Sequence, residues 1–290
     1  MKSIHNVRYT DTVSFEMNAI GSKCIVLNLE QKWVPTPFPK NPMWIRIHEI
    51  FNIENFLYPC PPLDLGKIFV QPVANRVLRC PIKKSGDSKI YLPLELECCL
   101  DLVKFVVETE LYINQNFKQF HAHISYEYTE VKANKTQRKS GWHVDGFQGV
   151  RAIPHQIEHS YIWSDRYSTE YCLQPFFIKH LDSTRHNIFP EIEKQANECN
   201  SVKGIDQHVY MIDPYVVHRS PVVPKNCKRT FVRITFSETE LEDPMNTKNL
   251  GIKMKQNYES RIDVRDRLFE YDGEIPWNIY GVTNVPTTAN

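Results

Sequence analysis

At Phe120 the hydrophobic rhythm of the chain changes, and that change limits the folds open to it. Between residues 93 and 119 the apolar side chains Leu96, Cys99, Leu100, Val103, Val106, Val107, Leu111 and Phe117 recur near the helical period. Then His121, His123, Ser125 and Glu127 alternate with Ala122, Ile124, Tyr126 and Tyr128. That is the period of two expected of a strand with one polar and one apolar face. Short strand-like runs bounded by turn residues follow at 160–164, 170–178, 208–212, 215–218 and 228–236. One helix ahead of many short strands, with no internal repeat, predicts a mainly β chain built as a cupin-like jelly roll, a double-stranded β-helix. Pro93, Glu95 and Glu97 suit a helix start. Residues 93–119 therefore read as one long bracing helix on the N-terminal side of the strands. A shorter acidic helix is expected over 189–199.

The catalytic core on this reading is 93–237, with extensions on either side. In residues 1–92, a strand is expected at 23–29 and a turn at 83–88. Pro35, Pro37, Pro39 and Pro42 interrupt regular structure, and 45–57 and 65–77 fit helix and short strand equally well. Residues 238–290 read as a second, polar extension. A chain of 290 residues, 41% hydrophobic and 24% charged, can bury a sizeable soluble core. Its net charge of +1 exerts no general pull on nucleic acid or anionic lipid, so such a partner would need a local patch. The eight cysteines show neither Cys-x-x-Cys nor zinc-ribbon spacing and read as reduced thiols. No leader-like segment or membrane-length apolar run is present, which predicts a cytoplasmic protein without membrane attachment. Nothing in the sequence speaks to the oligomeric state.

The chemistry concentrates in Gly141-Trp142-His143-Val144-Asp145-Gly146, a strand-like stretch ending in a turn. His143 and Asp145 are two apart, so an extended backbone projects both from one face, about 7 Å apart at the backbone. One imidazole and one carboxylate are two of the three ligands of the facial triad that holds non-heme Fe(II) and leaves positions open. His218, in a strand-like run after Asp213-Pro214, is the candidate third ligand. Arg229 and Arg233 follow it by 11 and 15 residues. They share one face of their strand with Phe231 and Thr235, opposite Thr230, Val232, Ile234 and Phe236. An arginine turned into a barrel is costly without a counter-anion. His121-x-His123 is another spaced pair, but it lacks a suitable third ligand nearby and reads as the polar face of a strand.

His-x-Asp, a distant His and a following Arg, in that order, resemble the Fe(II)/2-oxoglutarate oxygenase superfamily. The arginine spacing looks most like its taurine dioxygenase and phytanoyl-CoA hydroxylase branches, over roughly residues 120–237. The resemblance implies that His143, Asp145 and His218 bind Fe(II), with 2-oxoglutarate as cosubstrate and O₂ as oxidant. It also implies that decarboxylation to succinate and CO₂ is coupled to hydroxylation of a substrate. A guanidinium fork would hold the C5 carboxylate of 2-oxoglutarate. Arg229 is assigned there and Arg233 to the C1 carboxylate or its surroundings, an order the sequence leaves reversible. Tyr161 or Ser160 would add a hydroxyl.

Trp142, Phe147, Gln148 and Lys139 are the candidate substrate contacts. The basic run of Lys132, Lys135, Arg138 and Lys139 at 132–139 admits a small-molecule substrate, slightly favoured by the near-zero net charge. A nucleic-acid base or nucleotide is the alternative, although no reader motif for nucleic acid is present. A non-redox cupin-type metal isomerase or binding protein is the reading of another class, and nothing in it calls for two arginines after His218.

Overall fold

The computed structural model describes residues 12–17, 23–28, 62–114, 116–138, 140–145, 158–176, 189–214, 216–238, 240 and 245–252. Lys139, Phe147, Gln148 and the prolines of 35–42 lie outside the described residues. The strands are β1 (Thr12–Met17), β2 (Lys23–Asn28), β3 (Leu63–Lys67), β4 (Arg76–Lys83), β5 (Lys89–Pro93), β6 (His121–Val131), β7 (Glu158–Ser164), β8 (Glu170–Cys172), β9 (Ser201–Lys203), β10 (His208–Ile212), β11 (His218–Arg219) and β12 (Cys227–Ser237). Among the described residues, two α-helices join them, α1 (Leu100–Ile113) and α2 (Phe189–Gln195). The described chain is mainly β, and its strand pairings are antiparallel.

A six-stranded sheet, β3-β10-β7-β12-β6-β4, carries the structure, with smaller sheets β11-β8-β9 and β1-β2-β5. The eleven-residue β12 lies at its centre, between β6 and β7. Alternation along β12 divides the sheet into two unlike faces. Val232, Ile234 and Phe236 enter the main apolar core together with Ile124 and Tyr126 of β6 and Leu102, Val103, Val106 and Val107 of α1. Arg229, Phe231, Arg233 and Thr235 point the other way. There Phe231 packs with Ile162, Tyr210 and Ile212 of the large sheet, with Tyr171 of β8, and with Val216 beside β11. The small β11-β8-β9 sheet therefore covers the polar face of the large one, and His218 belongs to that cover.

The single long helix expected over 93–119 does not form. Pro93 ends strand β5, and Leu94–Cys99 is a 3-10 helix with a non-helical Leu96 at φ −109°, ψ 17°. α1 is 14 residues long, and a last 3-10 turn spans Phe117–Gln119. The break at the far end has a local cause. Asn114 is extended, and its side chain accepts the Asn116 N–H at 2.9 Å, the backbone-competing habit that makes asparagine a helix terminator. Helical periodicity across the three pieces survived because each still turns an apolar side toward the same core.

The edge strands β3 and β4 both come from upstream of residue 93. On the C-terminal side, the Thr247 amide donates to Leu78 O at 2.8 Å, and Asn249 Nδ2 donates to Pro81 O and Tyr91 O at 2.7 and 2.8 Å. Among the described residues, no helix is long and apolar enough to cross a membrane.

Candidate metal centre

His143 and His218 face each other across an isolated antiparallel bridge. The His143 amide donates to His218 O at 3.0 Å, and the His218 amide returns the bond to His143 O at 2.9 Å. Residues paired in this way send their side chains to the same side, and the two rings lie 4.5 Å apart, centroid to centroid. Asp145, two residues beyond His143, reaches the same point. One potential ligand atom from each of His143, Asp145 and His218 lies within 4.8 Å of the other two.

The rings are also held in the state that ligation needs. His143 Nδ1 lies 2.9 Å from Gly141 O, and His218 Nδ1 lies 2.8 Å from Val216 O. A carbonyl oxygen can only accept, so each Nδ1 carries its proton and each ring is left with Nε2 as the nitrogen turned toward the cluster. Anchoring the remote ring nitrogen fixes orientation and raises ligand basicity. His218 Nε2 stands 3.4 Å from Asp145 Oδ2. Burial pushes the Asp145 carboxyl up, but the Arg233 guanidinium and the two imidazoles outweigh it and hold the group well below the usual carboxylate range. Two imidazoles and an ionised carboxylate are a donor set suited to Fe(II), so the residues present fit that ion.

Arg233 lies beside this cluster. Its Nη1 is 2.6 Å from Asp145 Oδ2, its Nη2 is 3.8 Å from Glu158 Oε1, and its Nε donates to Thr235 Oγ1 at 3.2 Å. The counter-charge for an inward arginine is therefore supplied by the chain itself, through Asp145 and Glu158. Ser160 joins this polar corner, with its Oγ 3.0 Å from Thr235 Oγ1. Neighbouring His123, across from Thr235 on β6, is held neutral, since burial and the nearby His121 and Arg79 push it down to about 3.

These positions bear on three assignments made from the sequence. Arg229 is 1% exposed, and its donors are committed elsewhere. Nε bonds to the carbonyls of Arg166 and Tyr167, Nη2 to Ser164 Oγ and Tyr167 O, and Nη1 to the Gln137 side-chain oxygen. It is a strut that ties β12 to the turn after β7. Tyr161 pairs with Ile234 on the apolar face, and its hydroxyl donates to Glu110 of α1 at 2.6 Å. The neighbouring Ser160 holds the position toward the cluster.

Trp142 projects from the opposite side of the bridge to His143, is 2% exposed, and carries the Arg219 guanidinium 4.1 Å above its ring. Arg219 in turn forks onto Glu198 at 2.6 and 2.8 Å and reaches Glu170 at 2.6 Å. Trp142 is thus packed behind the His143–His218 bridge. The Trp142 amide donates to the Glu193 carboxylate of α2, which fastens the other side of the segment.

Two residues at the cluster went unread in the sequence. Glu158 extends β7 two residues before the apolar run begins, and its period of two with Ser160, Ile162 and Ser164 was the available signal. Arg138 looked like one more cation in a basic loop, whereas the structure turns it inward.

No family model matches the sequence, and no curated protein matches it. Among solved structures the chain is similar to EvdMO1, at 12% identity and a TM-score of 0.39, over 68% of this chain and 50% of that one. It thus spans about half the length of EvdMO1. It is similar to a 2OG-Fe(II) oxygenase family oxidoreductase from Burkholderia pseudomallei, at 12% identity and TM-score 0.32, over 71% of this chain and 94% of that one. EvdO2 from Micromonospora carbonacea var. aurantiaca, complexed with 2-oxoglutarate, matches at 9% identity and TM-score 0.30, over 79% and 94%. Any statement about chemistry rests on the side chains of the centre itself.

Proposed function

We propose that the protein is an Fe(II)- and 2-oxoglutarate-dependent dioxygenase whose two facing sheets form a double-stranded β-helix. One observation carries the reading. Two histidines with their Nδ1 protons tied to carbonyls, and an ionised aspartate two residues from one of them, converge within 4.8 Å. His143, Asp145 and His218 would hold Fe(II), which when bound supplies the capacity to activate O₂ and oxidise a C–H bond while 2-oxoglutarate becomes succinate and CO₂.

The chain's own part is to bind and orient. The backbone bridge fixes the angle between the imidazoles, and Trp142 with Arg219 stiffens the bridge from behind. Arg233 would take a carboxylate of 2-oxoglutarate, with the Thr235 and Ser160 hydroxyls beside it. The apolar group of Phe231, Ile162 and Ile212 keeps water from that side of the centre. The substrate is proposed to be a small molecule, since a net charge of +1 exerts no general pull on nucleic acid.

Anaerobic titration of the Fe(II)-loaded protein with 2-oxoglutarate tests the reading. A weak visible metal-to-ligand charge-transfer band is expected in the wild type and absent from His218→Ala. Arg233→Ala should raise the 2-oxoglutarate requirement at least tenfold, and Arg229→Ala should lower thermal stability with little change in that requirement. Iron binding without any band would leave a metal centre with no cosubstrate and put the cupin-type isomerase in its place.

A further inference from the structure

The loop between β6 and the metal segment holds three described cations, and they do not behave alike. Lys132 and Lys135 are exposed. Arg138 is turned inward, with its side chain 33% exposed and its guanidinium 4.8 Å from the centre of the Phe231 ring. Phe231 lies two residues before Arg233 on the same face of β12, about 7 Å along the strand. The loop is not left to wander. Gln137 Nε2 bonds to Glu127 O, Thr129 Oγ1 and Arg229 O at 3.1, 3.2 and 3.1 Å, and Thr136 Oγ1 donates to Arg138 O at 2.7 Å. Arg138 is therefore presented by a backbone fastened to both β6 and β12.

Its charge is incompletely matched. Among the described residues, the ion-pair partner of Arg138 is Glu127 Oε2 at 3.6 Å, and the other oxygen of that carboxylate faces Arg76 Nε at 3.4 Å. One carboxylate is shared by two guanidiniums, at distances longer than a close charge-assisted hydrogen bond. Arg233, the third guanidinium of this face, is drawn off to Asp145 and Glu158. The proximity of Arg233 depresses the Arg138 guanidinium beyond the effect of burial, while Glu127 and Asp145 oppose the shift. Partly desolvated like charges near one another are relieved by an anion placed between them.

We infer that Arg138 is the specificity-determining residue of the centre, selecting a primary substrate that carries a carboxylate or phosphate group beside an apolar moiety that packs on Phe231. The inference rests on the oxygenase reading and adds the substrate class to it. It favours a small anion over a polynucleotide, because two of the loop's three described cations, Lys132 and Lys135, are exposed and only Arg138 lies against Phe231. A carboxylate of 2-oxoglutarate would satisfy the same guanidinium, so the test must separate the two sources.

The Fe(II)- and 2-oxoglutarate-loaded protein, kept anaerobic, is titrated with phenyl phosphate, benzoate and neutral benzyl alcohol. Calorimetry and the shift of the charge-transfer band are both read. The anionic probes should bind the wild type at least tenfold more tightly than benzyl alcohol. Arg138→Gln should erase that preference and Arg138→Lys restore part of it, while 2-oxoglutarate affinity stays within twofold in both. Glu127→Gln, which removes the competing carboxylate, should tighten phenyl phosphate severalfold.

An undiminished anion preference in Arg138→Gln overturns the inference. So does a tenfold loss of 2-oxoglutarate affinity in that variant, which would give the guanidinium to the cosubstrate. A single-stranded oligonucleotide that outcompetes phenyl phosphate with a steep salt dependence would overturn the small-anion class. If the wild type develops no band, the oxygenase reading fails on its own account, and calorimetry with the same probes still decides the role of Arg138.

Discussion

Glu110 has no exposed surface, yet its carboxylate gathers three donors. Tyr161 Oη reaches it at 2.6 Å, Asn114 Nδ2 at 2.7 Å, and His159 Nδ1 at 2.9 and 3.1 Å from its two oxygens. Burial pushes the His159 imidazole down, but Glu110, with Asp213 and Glu158 behind it, prevails and raises it above the ordinary histidine value. A raised folded-state value means the pair's contribution is complete below about pH 6.5 and is lost as pH climbs through the folded value. Removing one partner of a buried pair costs about 3–5 kcal/mol. Glu110→Gln should therefore lower the melting temperature most at pH 5.5–6, with the gap to wild type narrowing toward pH 9. A gap that widens with pH would remove the ion pair from the account.

At this scale the sequence was readable where geometry is local. His143 and Asp145 share a face whatever the tertiary structure does. It was unreadable where parity alone had to choose. Arg229 and Arg233 sit on the same face, and only Gln137, Ser164 and two loop carbonyls decide that the first is a strut. Tyr161 and Ser160 occupy opposite faces, and the pairing of Tyr161 with Ile234 settles which of them meets the core.

Among the elements, the short bridge that carries the histidines depends most on a single residue. Gly141 adopts φ +86°, and a Cβ there would also stand 3.1 Å from the Glu193 carboxylate oxygen. Its carbonyl is the acceptor for His143 Nδ1. Left-handed backbone costs an ordinary residue about 1–2 kcal/mol, and about 1.4 kcal/mol is a factor of ten in affinity. Gly141→Ala should therefore weaken metal binding roughly tenfold, measured by calorimetry with Zn(II) or Fe(II), while the melting temperature of the metal-free protein changes little. Unchanged affinity would mean the segment tolerates another route into the bridge.

The strands β10 and β12 were legible from alternation, and so was the apolar stripe of α1. The helix ends were not, because asparagine and proline act through backbone bonds that periodicity does not register. Glu110 was missed for a related reason, since it lies on the apolar side of α1, where a carboxylate is tolerated only because β7 delivers its donors.

For the molecule as a whole, the large sheet is not contained within residues 93–237. β3 and β4, its two edges, belong to the stretch ahead of that boundary. A chain beginning at residue 93 would expose β10 and β6 as unpaired edges, which invites intermolecular strand addition. Such a truncation should be recovered as aggregate, and a soluble monomer with intact near-ultraviolet dichroism would show the edges to be dispensable.

The reciprocal amide bonds between His143 and His218 carry a kinetic consequence as well. Each ligand's own N–H is locked by the other's carbonyl, so deuterium can enter at either amide only when the bridge parts and the two ligands separate. Loss of the ion through strand separation and exchange at these two positions would then share one opening event. The lifetime of the holo state would be set by the breathing of a two-residue patch of backbone, independently of how readily solvent reaches the pocket.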